Sequence, residues 1–346
     1  MILAAGYGSR LRPHSNLVPK PAIPFLNIPL IYYGLSLLKP DELDALVVNT
    51  HHLPKQITGV LESIPHLHEK LLISHEPTEP LGSGGGIFFA RSLLQGRGSF
   101  SVINGDEVIF PANPRLPEGL RKYHEQQNAL ATLLVMRNPK VGTQFGGVWA
   151  DAAGNVHGFG KTSPRSDLEG FHFTGVQVLS ERIFEYRSAG PSNIFYDVLT
   201  RGIGAGEKIS IFIGDLTWYE TGNVADFLSA TGLCLNEIAN RREHPWLRHM
   251  MISYWPRFGE RKSIWEGVHC HHSLSDLAKG PILLGNDVTI DPSVRISGFA
   301  VIGDRAQIGA DCELRNCVIG PGAKLPAESR VEHDLYLGGS GSSPQK

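Results

Sequence analysis

Apolar residues follow two spacings over the first two thirds of the chain. Short runs of Val, Ile, Leu and Ala predict strands at residues 2–4, 45–49, 71–74, 100–104 and 131–136. Between them, helical spacing predicts helices at 29–38, 55–63, 85–94 and 118–127. Pro29 falls in the first turn of its helix, where an absent N–H is tolerated, and the 85–94 helix opens on glycines. A strand–helix rhythm of this kind predicts an α/β fold with a mostly parallel sheet covered by helices on both faces. Ligands of such sheets sit beyond the carboxyl ends of the strands. Gly6 and the run Asn104–Gly105–Asp106 both fall at such ends. Residues 140–222 read as shorter strands, in "FGGVWAD", "VHGFGK" and "FHFTGVQVLS", and 223–242 read as one long helix.

The tail changes period. Ile282, Val288, Val294, Ala300, Ala306, Cys312 and Val318 are spaced by six, and so are Leu284, Ile290, Ile296, Ile302, Ile308 and Leu314. Gly, Asp, Pro, Ser and Asn fill the intervals. Two aliphatic series in register with turn residues between them predict a short left-handed parallel β-helix of just over two coils. So short a solenoid leaves sheet ends open, which favours packing on the rest of the chain or on a second copy, hence a homo-oligomer. It holds no histidine between 282 and 323, so an acyl-transfer role on this architecture is disfavoured.

Length and composition narrow the class. At 346 residues the chain exceeds what one core usually serves, and 41% apolar with 19% charged residues describe a globular protein. A formal charge of −2 gives no global attraction to nucleic acid or anionic membrane, so any anion site is local. Four cysteines form no disulfide framework, and no signal peptide or unbroken apolar span is evident, which together predict a cytoplasmic protein. The run His269–Cys270–His271–His272 invites zinc. Adjacent residues of an extended chain point to opposite faces, however, and no second pair stands at zinc-site spacing.

The stretch "ILAAGYGSRLRPHSNLVPKP" carries the most specific chemistry. It has no Gly-Lys-Ser/Thr ending, so it is not a Walker A loop. Leu11 stands where a dinucleotide fingerprint needs its third glycine. What remains is a long loop with backbone amides bared at Gly6 and Gly8, followed by Arg10, Arg12 and Lys20. Amides, a guanidinium and an ammonium suit a triphosphate and a second phosphate together. A surface loop with solvated arginines is the alternative.

The blocks "LAAGYGSRLRP", "PKP", "NTHHLPKQI", "HEPTEPLGSGGGI", "VINGD", "FTGVQVLS" and "WYETGN" stand in an order that resembles the sugar nucleotidyltransferases, over about residues 1–235. The resemblance implies a Rossmann-like nucleotidyltransferase domain at 1–235. A connector at 236–280, a β-helix of hexapeptide repeats at 281–337 and a tail at 338–346 would follow it. It also implies transfer of a nucleotidyl group from an NTP to a sugar 1-phosphate, with release of pyrophosphate. The tail and domain order favour GTP and mannose 1-phosphate. UTP, or a heptose 1-phosphate, is the alternative, and a non-catalytic nucleotide-sugar-binding subunit is the alternative of another class.

By the same resemblance Arg10, Lys20 and Asp106 are the expected catalytic residues. The nucleotide would lie against Leu3, Ala4, Ala5, Gly6, Gly8, Ser9, Arg10, Glu76, Gly82, Ser83, Gly84 and Asn104. Glu76 would accept from the base or ribose, unless it is merely an exposed loop glutamate. The sugar phosphate would meet Lys20, Gly147, Lys161, Thr174 and Gly175. Mg²⁺ would take Asp106 and Glu220, the latter standing where the family block W-x-D-x-G has aspartate. The usual Glu-Lys-Pro of the family reads Gly160–Lys161–Thr162 here, which removes a common sugar-hydroxyl acceptor.

Overall fold

The structure is a computed structural model. It describes all residues except 40–42, 65–66, 68, 188–189, 256–258, 262, 275–277 and 339–346. The chain divides into two compact units. One comprises residues 1–6 and 33–218, and the other comprises residues 7–32 and the chain from Tyr219 onward.

The first unit is built on a mixed, mostly parallel sheet. Ile2–Leu3 lies at its centre, parallel to Leu46–Thr50 on one side and to Phe100–Asn104 on the other. Leu71–His75 continues the sheet beyond Leu46–Thr50. Glu169–Leu179 runs antiparallel beside Phe100–Asn104 and also pairs with Ala131–Met136, which in turn pairs in parallel with Ile209–Ile213. The strand order therefore reverses at Ile2–Leu3 and Phe100–Asn104, the kind of point at which α/β sheets bind ligands. Leu46–Thr50 is buried at every position, the pattern of a strand covered on both faces. Leu116–Gln127 opens on a proline in its first turn and stops at Asn128, whose φ of 45° ends the helix. A hairpin-like flap, Gly147–Ala150 with Val156–Gly160, extends the sheet from Glu169–Leu179. The core gathers Val102, Leu133, Val135, Phe171, Leu179, Ile183 and their neighbours.

Two predicted helices come out differently. Pro29 is not in a helix: Ile28–Pro29 pairs with Pro24–Phe25 around Leu26 and Asn27, both at positive φ, and the helix is only Leu30–Leu35. The 85–94 segment is two pieces, Gly82–Phe89 and Arg91–Leu94, broken at Ala90.

The second unit contains the long helix Val224–Ala239, capped by the Asn223 side chain on the Asp226 amide and buried along Phe227, Leu228, Cys234, Leu235 and Ile238. Phe227 meets Phe25 edge-on at 5.6 Å. A ladder of parallel strands follows. Ile264 pairs with Ile282, Ile282 with Ala300, and Ala300 with Cys317, while Val318 pairs with Leu335. The ladder thus starts earlier than the six-residue spacing marks. That spacing also slips once. The coil with Gly298 and Phe299 is one residue longer than the next, so Cys317 rather than Val318 joins the interior cluster. Phe299 reaches Gly232 on the long helix, where a Cβ would lie 2.9 Å from its ring.

Candidate active site

The first unit holds Leu3, Ala4, Ala5, Gly6, Glu76, Gly82, Ser83, Gly84, Asn104, Asp106, Gly147, Lys161, Thr174 and Gly175, and the second holds Gly8, Ser9, Arg10, Lys20 and Glu220.

In the first unit, the turn after Phe100–Asn104 lies against the end of the central strand. Gly105 donates to Leu3 O at 2.9 Å, and a Cβ there would lie 3.0 Å from that same oxygen. Ala4 N donates to Asn49 Oδ1 at 2.7 Å, and Asn49 Nδ2 donates to Glu76 Oε1 at 2.7 Å. Leu81 N donates to Glu76 Oε2 at 2.7 Å. Glu76 is 0% exposed, so it is no loop glutamate in solvent. Its buried carboxylate has protein donors on both oxygens, as a buried acid requires.

The glycine-rich turn has its own explanation. Gly84 N and Gly85 N donate to Ser192 O, and Ile194 N donates to Ser83 Oγ. A Cβ at Gly82 would lie 2.6 Å from Ser192 O, and one at Gly84 would lie 2.8 Å from Ser192 Oγ. The glycines let residues 190–194 approach the start of the helix. Segment 194–199 winds as a π-helix, a form that often marks functional regions.

Glu107 is a residue that sequence reasoning passed over. Its Oε2 accepts the Trp218 indole N–H at 2.7 Å, and its Oε1 accepts Asn104 Nδ2 at 3.3 Å. Gly175, at φ 87°, faces it so closely that a Cβ would run into Glu107 Cγ. The signal available in the sequence was Trp218 itself, whose indole N–H needs an acceptor when buried. Thr174 turns its hydroxyl into the sheet, donating to Leu134 O at 2.9 Å. Gly160 pairs with Gly147 across the flap, and the exposed Lys161 follows it.

In the second unit the cation loop is tightly wound. Gly8, at φ 60°, packs on Lys20, where a Cβ would lie 3.0 Å from the lysine Cβ. Lys20 is buried, whereas Arg10 is exposed. Arg10 and Glu220 both flank Gly222. A Cβ there would lie 2.7 Å from Arg10 Nη1 and would overlap Glu220 Oε1, which accepts the Gly222 N–H at 2.7 Å.

The histidine cluster divides its partners. His272 pairs with Glu266 at 2.6 Å and His269 with Asp287 at 3.1 Å, while Cys270 Sγ lies 3.1 Å from Gly285 O. Among the described residues no three His, Cys, Asp or Glu side chains are gathered as a cage.

The sequence family model of nucleotidyl transferases matches residues 1–237. This chain belongs to the nucleotidyl transferase family. Family members with curated names match along most of it. A UTP–glucose-1-phosphate uridylyltransferase of Synechocystis sp. is 26% identical, covering 94% of this chain and 85% of the relative. A probable mannose-1-phosphate guanylyltransferase of Oryza sativa subsp. japonica is 25% identical, covering 98% of this chain and 90% of the relative. Among solved structures, the inositol-1-phosphate CTP transferase from T. maritima superposes with a TM-score of 0.53 at 21% identity. That match covers 65% of this chain and 89% of the other, and shows the shared fold. As a member of the family, the chain is a nucleotidyltransferase. No helix among the described residues is long and apolar enough to cross a membrane.

Proposed function

We propose that this nucleotidyltransferase joins GTP to mannose 1-phosphate, giving the nucleotide sugar and pyrophosphate. The observation that carries the reading is the rice relative, which matches along 98% of the chain, C-terminal ladder included. A second reading, UTP with glucose 1-phosphate, is favoured by the Synechocystis relative at 26% identity.

The chemistry brings two anions together, since the sugar phosphate oxygen attacks the α-phosphorus as pyrophosphate leaves. The ionised phosphate needs no general base. Positive charge and positioning supply the rate. In this reading Arg10 holds the triphosphate and stabilises charge at the α-phosphorus, and Lys20 contacts the phosphate at the reacting centre. The Leu3–Gly6 backbone, Gly8, Ser9, Gly82, Ser83, Gly84 and Asn104 receive the nucleotide. Gly147, Lys161, Thr174 and Gly175 face the sugar phosphate, Thr174 through its backbone because its hydroxyl is bonded within the sheet.

Asp106 and Glu220 are the proposed carboxylates for Mg²⁺. Their oxygen donors fit a hard cation, which takes one or two carboxylates and completes its shell with phosphates and water. When bound, the ion supplies charge neutralisation at phosphate oxygens. The strand ladder, with offsets of 17 and 18 residues, supports a left-handed β-helix, and its open ends favour a homo-oligomer.

A matrix of NTPs and sugar 1-phosphates, read by pyrophosphate release, tests the function. Fastest turnover with GTP and mannose 1-phosphate, lost in Asp106→Ala, is expected. Fastest turnover with UTP and glucose 1-phosphate would replace the first reading by the second. Nucleotide-sugar binding without turnover for any pair would reject both.

A further inference from the structure

We propose that Asn49 and Glu76 are positioning residues of the nucleotide site, acting as a two-residue hydrogen-bond relay that fixes the glycine turn at 81–86 against the start of the first loop. The proposal rests on the reading of Ala4–Gly6 and Gly82–Gly84 as nucleotide-contacting backbone.

The relay runs Ala4 N–H to Asn49 Oδ1, Asn49 Nδ2 to Glu76 Oε1, and Leu81 N–H to Glu76 Oε2, each 2.7 Å long. Ala4 leaves the central strand, Asn49 stands on Leu46–Thr50, and Leu81 caps the helix Gly82–Phe89. Three backbone segments are tied by two side chains. The link between the Asn49 and Glu76 segments is reinforced, since Glu76 N donates to Thr50 O at 2.8 Å and the His51 ring Nδ1 lies 2.7 Å from Glu76 O.

The pair is sealed. Asn49 is 3% and Glu76 0% exposed, and Gly86 closes over both, since a Cβ there would lie 2.7 Å from Asn49 Nδ2 and from Glu76 Oε1. A ligand donor has no route to the carboxylate, and neither oxygen lacks a partner. Glu76 therefore acts through Leu81 and Asn49 and not by touching the base. The donor pattern also fixes the amide orientation, because the reverse would set the Asn49 NH₂ against the Ala4 N–H.

The relay has an isosteric inverse. In the double variant Asn49→Asp/Glu76→Gln, the aspartate accepts from Ala4 N–H and from the glutamine NH₂, and the glutamine oxygen accepts from Leu81 N–H. Every bond and the net charge of the pair are kept, and only the carboxylate moves. Glu76→Gln alone sets two NH₂ groups against each other, or one against a backbone N–H. Asn49→Asp alone sets two carboxylates face to face.

The test measures KM for GTP and for UTP, KM for the sugar 1-phosphate, kcat and melting temperature. Glu76→Gln is expected to raise the nucleotide KM about tenfold, as a buried unsatisfied donor does, and to change the sugar phosphate KM far less. The double variant is expected to bring the nucleotide KM back to within about threefold of wild type. If Glu76→Gln does not fold, the double variant decides alone by the same criterion. A double variant with a nucleotide KM still raised about tenfold would overturn the proposal, because it would mean that a carboxylate is needed at position 76 itself. A single variant with a lower melting temperature and unchanged nucleotide KM would overturn it too, because the relay would then serve the fold alone. A wild type inert toward every substrate pair sinks the underlying reading instead, and is told apart before any variant is made.

Discussion

Glu107 fits no glycine-loop or metal pattern, yet it joins three of the sequence blocks that carry the proposed function. Trp218 and Asn104 both donate to it, and Gly175 is held against it. A carboxylate accepts on both oxygens, whereas an amide accepts on one only. Glu107→Gln therefore leaves either the indole or the Asn104 amide facing a donor, at a half-buried site. The expected cost is about 1–2 kcal/mol of stability, read by denaturant unfolding, with a lower kcat because the neighbouring Asp106 turn loosens. Wild-type stability together with wild-type kcat would refute this role. The residue scale was legible where a residue type is tied to backbone geometry, as at Gly8 with its φ of 60°. It was less legible where long-range contact decides. Gly82 and Gly84 were expected to meet the nucleotide, and the approach of residues 190–194, more than a hundred positions away, also requires glycine there. Nothing local marks such a partner.

At the scale of elements, the cation loop depends on chain far from it in sequence. His14 opens a short 3₁₀ turn just after Arg10 and Arg12, and its Nε2 lies 3.0 Å from Asp334 Oδ1 in the last part of the ladder. Asn27, at the tip of the hairpin that follows, donates to Ile302 O at 3.0 Å. Burial opposes ionisation of Asp334, but hydrogen bonds from His14 and the Leu335 amide, with the charge of His14, hold its carboxyl below the usual range. Asp334→Ala is expected to cost about 1 kcal/mol, discounted because the carboxyl is half exposed, and to speed tryptic cleavage after Arg10. Cleavage at Arg12 and Lys20 is blocked by the prolines that follow each. Unchanged cleavage kinetics would show that the loop does not need the link. Elements driven by strong periodicity were readable. The 100–104 and 131–136 strands appear where the apolar runs put them. The 29–38 helix is present only as Leu30–Leu35: Leu26 and Asn27 adopt positive φ and turn the chain into a hairpin that takes Pro29 into a strand. The tail pattern slipped at Cys317 because one coil is a residue shorter than its neighbour, which a strict period cannot register.

For the molecule as a whole, two buried histidines contribute to the acid sensitivity of stability. Burial, with help from the Arg182 charge, pushes His124 from 6.5 down to about 4, while its ring nitrogens face Thr132 Oγ1 and Ser99 Oγ. Burial alone pushes His172 down to about 4, beside Trp218 at 4.3 Å and Phe145 at 5.0 Å. Both titrate near 6.5 in the unfolded chain and near 4 in the native one, so between those values the unfolded state binds more protons. The stability that these two rings contribute is complete above pH 6.5 and is lost as pH falls toward 4. His172 Nε2 has no partner among the described residues, so a ring without nitrogen suits its site. His172→Phe is expected to keep wild-type stability at pH 8 to within about 1.5 kcal/mol, as a near-isosteric swap should, and to flatten the decline between pH 6.5 and 4. His124→Gln should flatten it as well, but at a cost at pH 8, because an amide cannot reproduce both hydroxyl contacts of the ring. Melting curves across that range decide the point: parallel slopes for wild type and His172→Phe would place the acid sensitivity elsewhere.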